Sequence, residues 1–160
     1  MYKKLFHLVL LFLICGSLRA QAAVILQYHH VSETLPAVTS VSANTFTKHL
    51  NYLKEHNFNV IPLNELISAL KQGKALDDKT LAITFDDGYS NNYEQAAPIL
   101  EKFGYPYTIF VNPKLIDEQA GYVMGWDKLR ELAKKGALIA NHSAEHNYLH
   151  KKRENETQSQ

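Results

Sequence analysis

Cysteine is nearly absent from this sequence: of 160 residues, only Cys15 carries a thiol. It sits within an apolar run, residues 5–18, and nothing downstream could pair with it, so the folded part forms no disulfide of its own. An excess of charge of one sign is also missing, with 17 Lys and Arg against 16 Asp and Glu for a net +1. That balance gives no reason to expect a nucleic acid as partner. A third absence is an apolar stretch long enough for a membrane helix, which needs roughly 20 residues. Instead, Lys3 and Lys4 precede the short run and Ala20-Gln21-Ala22 follows it, the pattern of a signal peptide over residues 1–22. Ile14 ahead of Cys15 argues against a lipoprotein. An uncleaved anchor is the alternative, and either reading sends the domain to the periplasm or the cell exterior.

What is present reads as one globular α/β domain over residues 23–150, 46% of the whole chain being hydrophobic, with a polar tail at 151–160. Val24-Ile25-Leu26 leads into Gln27-Tyr28-His29-His30-Val31, a strand ending in histidines. Residues 32–42 read as loop. Phe46, Leu50 and Leu53 recur at helical spacing behind a cap at Asn44. A short strand at 58–61 and a helix on Leu63, Leu66, Ile67 and Leu70 precede the central strand, 81–85. A helix over 91–103, a strand over 107–111, a helix with Trp126 in its core face and a strand over 137–140 complete the series. The nine Tyr, seven Phe and one Trp are compatible with sugar stacking, but an ordinary core is the commoner use of such residues. His49 and His56 read as surface residues. Alternating strands and helices argue for parallel βα units, whose reactive groups gather at the carboxyl ends of the strands.

Two such ends carry chemistry. Leu81-Ala82-Ile83-Thr84-Phe85 delivers Asp86 and Asp87 before Gly88. Neighbours on a strand face opposite ways, so one carboxylate can meet a metal while the other handles a proton. A plain Asp-Asp-Gly turn is the competing reading. The last strand delivers His142 and His146, four apart, as on one face of a helical turn. One carboxylate and two imidazoles form a common catalytic zinc set with an open position. Cobalt, nickel and iron suit the same donors. His150 follows eight residues beyond His142.

Thr84-Phe85-Asp86-Asp87-Gly88-Tyr89 and His142-Ser143-Ala144-Glu145-His146 resemble the first two motifs of the polysaccharide deacetylases, the NodB-homology group (carbohydrate esterase family 4). The resemblance implies a distorted (β/α)7-type barrel, of which about five βα units are present here. It implies N-deacetylation of an N-acetylhexosamine polymer, with Asp86 as general base and Asp87, His142 and His146 holding Zn2+ or another divalent metal. Tyr28-His29-His30-Val31 resembles an element of the permuted, poly-N-acetylglucosamine-directed branch, which makes His29 the general acid and His30 its less favoured neighbour. The expected partner is a polysaccharide containing N-acetylglucosamine. The family's arginine-containing and Asp-Trp-containing motifs are not found, so the chain reads as the front of a longer domain. A non-catalytic remnant and an O-acetyl esterase are the competing functions.

Overall fold

The computed structural model describes residues 23–147. The expected leader at 1–22, the tail at 151–160 and His150 lie outside the described residues. Seven strands and five helices follow in order: β1 (Val24–Tyr28), β2 (His30–Val31), β3 (Ser40–Val41), α1 (Ala43–Glu55), β4 (Asn59–Val60), α2 (Leu63–Lys71), β5 (Thr80–Phe85), α3 (Ala97–Phe103), β6 (Thr108–Val111), α4 (Pro113–Asp117), α5 (Trp126–Lys134) and β7 (Leu138–Asn141).

Five of the strands form one parallel sheet, and β5 is its centre. Leu81 pairs with both Val24 and Val60, and Phe85 with both Tyr28 and Ile109. A strand has only two edges. Hence β1 occupies one edge of β5, while β4 and β6 divide the other, and β7 lies beyond β6. All six residues of β5 are buried, as expected for a parallel strand covered on both faces. The sheet is not closed into a ring among the described residues.

The core follows from the periodicities. Phe46, Leu50 and Leu53 face inward from α1, Leu100 from α3, and Leu129 and Leu132 from α5. They meet Ile83, Phe85 and Ile109 of the sheet. Beneath the carboxyl end of β5, Tyr28 packs edge-on to Phe46 (5.1 Å) and stacks on Phe85 (5.6 Å), giving that end a rigid floor.

Several local expectations are corrected. The cap of α1 is Ser42, whose extended backbone lets its hydroxyl accept from Thr45 N; Asn44 is already helical. The loop over 32–42 contains β3, which pairs with β2 as a small parallel flap. The helix after Gly88 opens with a π turn, Asn92–Ala96, before α3 begins. Trp126 is 37% exposed, because it opens α5 at the edge of the core, and its indole N–H donates to Asp117 Oδ1 at 2.8 Å. His49 and His56 are on the surface.

Candidate metal centre

The carboxyl end of β5 supplies the acids. Asp86 N donates to Tyr28 O at 2.9 Å, carrying the β1 pairing one residue past the strand. Then the chain turns sharply, with Asp87 at φ 67 and Gly88 at φ 63. Asp tolerates this left-handed region better than most side chains, at a cost of about 1–2 kcal/mol. Glycine is required at the second position for space as well: a Cβ there would lie 2.9 Å from Val111 Cγ1. The two carboxylates therefore diverge through a left-handed turn after the strand, and not through strand alternation.

The carboxyl end of β7 supplies the imidazoles. His142 N donates to Val111 O at 2.8 Å, after which the chain leaves the sheet. Ser143 N is taken by Asn141 Oδ1 (2.8 Å) and His146 N by Ser143 Oγ (3.1 Å). Ser143 and His146 are both left-handed, at φ 65 and φ 56. No helical turn forms here. Short polar side chains capture the backbone instead, and that capture folds the two imidazoles together; their ring centroids are 5.0 Å apart.

Asn112, on the adjoining end of β6, ties this turn down. It is 1% exposed, and its amide donates to His142 O (2.5 Å) and Ser143 O (3.2 Å). Lys114 N bonds Ala144 O at 3.1 Å, and Lys114 Nζ is paired with Glu145. Nothing in the sequence motifs pointed to Asn112. Only its place at a strand end beside β7 could have raised it.

These two turns bring Asp87, His142 and His146 together. Asp87 Oδ1 lies 3.4 Å from His142 Nε2 and 3.2 Å from His146 Nε2. Despite those distances it is buried and has no hydrogen-bond partner. A buried acceptor without a donor is costly, by about 1–3 kcal/mol or more. Donors about 2.0–2.1 Å from a tetrahedral ion sit about 3.3–3.4 Å from one another. One such ion would satisfy the oxygen, and the donor set fits it.

Asp86 has different neighbours. It is 5% exposed, accepts a hydrogen bond from the Gln27 amide at Oδ2, and faces His29 Nε2 at 3.9 Å from the same oxygen. Gln27 and His29 are two apart at the end of β1 and share a side, which is why both reach Asp86. Gln27 was not anticipated, although strand spacing from His29 would have found it. His30 turns away. Its Nδ1 meets Asn91 Nδ2 at 3.0 Å, and its ring stacks on Tyr89 at 3.7 Å. Desolvation pulls the His30 pKa down. Burial, and next the Asp87 carboxylate, push the Tyr89 phenol up to about 12.

The sequence profile of the polysaccharide deacetylases matches residues 73–160, more than half of the chain. The chain belongs to the polysaccharide deacetylase family. It is 32% identical to the polysaccharide-deacetylase-type protein YxkH of Bacillus subtilis, over 76% of this chain and 42% of that one. A poly-β-1,6-N-acetyl-D-glucosamine N-deacetylase of Staphylococcus aureus is 31% identical over 61% of this chain and 34% of its own. Among solved structures, IcaB from Ammonifex degensii superposes with a TM-score of 0.69 at 26% identity, covering 78% of this chain and 54% of that one. The chain thus spans less than half the length of those two curated relatives. The fold is the α/β, (β/α)-barrel type of these deacetylases, with five parallel strands among the described residues.

Proposed function

We propose that this polysaccharide deacetylase is an exported, metal-dependent N-deacetylase acting on a polymer of N-acetylglucosamine. The observation that carries this reading is the convergence of the Asp87 oxygen and the His142 and His146 nitrogens, with that oxygen left without a hydrogen bond. Asp87, His142 and His146 would hold the ion. A divalent metal such as Zn2+, when bound there, supplies Lewis acidity to the acetyl carbonyl and eases the ionisation of water.

The remaining chemistry falls to the chain. Hydrolysis of an acetamide needs a base for the attacking water and an acid for the departing amine. Gln27 occupies Asp86 Oδ2 and holds that carboxylate in place, which leaves Oδ1 to take the water's proton. His29 stands beside Asp86, half-exposed, and in its protonated form gives Nε2–H to the amide nitrogen as the C–N bond breaks. Acetate and a free amine leave. The similarity to poly-β-1,6-N-acetyl-D-glucosamine N-deacetylases supports the polymer assigned here. Export rests on the leader pattern at residues 1–22. Among the described residues, no helix is long and apolar enough to cross a membrane.

Acetate release from a β-1,6-linked N-acetylglucosamine oligomer is the test. In Asp86→Asn it should fall by about 10²–10⁴-fold, with the metal still bound. Undiminished release would remove Asp86 from the mechanism.

A further inference from the structure

A polymer substrate must lie on the protein on at least one side of the reacting unit. The described surface has a groove of about 600 Å³ that starts at Tyr89, two residues past Asp87. Its size is that of sites which hold small ligands. His30, Ser32, Thr34 and Leu35, from the flap and the loop within it, line the groove together with Tyr122. Resting on the proposed function, we propose that this groove is a subsite for the sugar next to the one being deacetylated, with Tyr122 as its stacking platform.

The geometry is specific. Ser90 N donates to Tyr122 O at 2.9 Å and Met124 N to Gly88 O at 2.8 Å, so the Tyr122 backbone is tied to the same turn that carries Asp87. Tyr122 is 56% exposed, and its ring lies 6.1 Å from that of Tyr89 between centroids, at 45° to it. Tyr89, which also lines the groove, is held by His30, stacked 3.7 Å away. A pyranose has an apolar C–H face and a rim of hydroxyls, and the groove matches both. Tyr122 offers an aromatic face, which binds with little loss of side-chain freedom. Ser32 and Thr34, 3.3 Å apart, offer hydroxyls that both donate and accept. Leu35, 41% exposed, offers an apolar contact for an acetamido methyl. The groove's lining has no Lys or Arg, and its one carboxylate, Glu94, is already paired with Lys128 at 3.3 Å. A neutral N-acetylhexosamine unit fits this environment, and an anionic uronate does not.

The test is calorimetric binding of a β-1,6-linked N-acetylglucosamine pentasaccharide to the metal-loaded protein in an Asp86→Asn background, which blocks turnover. Adding Tyr122→Ala should weaken binding about tenfold, the worth of one aromatic stacking contact. Tyr122→Phe should stay within about twofold, since only the ring is required. In the Asp86-intact protein, Tyr122→Ala should raise KM for the pentasaccharide and leave its kcat standing. Equal affinity in Tyr122→Ala, or no pentasaccharide binding at all, overturns the subsite. Tyr122-dependent binding in the Asp86→Asn background, together with no acetate release by the Asp86-intact protein, would keep the subsite and sink the deacetylase reading instead.

Discussion

Replacing Asn112 by alanine removes two hydrogen bonds that hold the turn bearing both histidines. The His142 and Ser143 carbonyls lose a donor reaching them from a fully buried side chain. Each such bond is worth about 0.5–1.5 kcal/mol net, so a loss of about 1–3 kcal/mol in folding stability is expected. A second effect is expected at the metal. Ser143 and His146 hold left-handed backbones that cost about 1–2 kcal/mol each, and the turn relaxes when its tether goes. Displaced imidazoles bind an ion poorly, and losing a supporting contact of this kind lowers metal affinity by about 10–100-fold. Competition with a chromogenic chelator measures the affinity, and urea denaturation with EDTA present measures the stability of the metal-free fold. Asn112→Asp keeps the shape, lacks the donors and directs a charge at two carbonyls, so it should do at least as much harm. A folded Asn112→Ala protein with metal affinity within about twofold of the parent would refute the tethering role.

Gly88→Ala should cost about 2–3 kcal/mol, from a left-handed backbone and a methyl pressed against the stiff Val111 side chain; a urea midpoint equal to the parent's would contradict this. Gln27→Leu should lower the rate of acetate release by roughly tenfold and leave metal affinity unchanged, because Gln27 touches Asp86 and none of the proposed ligands. Equal rates would dismiss it as a positioning residue. Burial raises the Tyr107 phenol from 10.0 to about 12. The unfolded chain therefore loses that proton first, and stability from this group is complete below pH 10 and falls between pH 10 and about 12. Thermal melts across that range should show a shallower decline in Tyr107→Phe than in the parent.

Much of the architecture was legible from one dimension. Short apolar and β-branched runs located all five strands of the main sheet and period-3.6 patterning four of the helices, because burial on both faces of a strand favours a continuous apolar run and burial of one helix face a stripe. The two-residue pairing of β2 with β3 was not legible: a strand so short leaves no period to detect. Nor was the π turn before α3, or α4, whose five residues cover barely more than one helical turn. Trp126 was misassigned because a helical position implies a facing direction only once the helix start is known.

The candidate site divides in the same way. Residue types and their order along the chain singled out Asp86, Asp87, His142 and His146 as candidates, since two strand-end clusters with complementary metal donors rarely coincide by chance. His29 stood at a strand end as well, and its motif gave it the expected role of acid. How these groups meet was decided only in three dimensions. Left-handed turns at Asp87, Ser143 and His146 set the directions of the proposed ligands, and a sequence does not display φ. The supports, Gln27 for Asp86 and Asn112 for the histidine turn, act across 59 and at least 30 residues of chain. Contacts of that range exist only after strands β1, β5, β6 and β7 have taken their register, because it is the register that sets one strand end beside another.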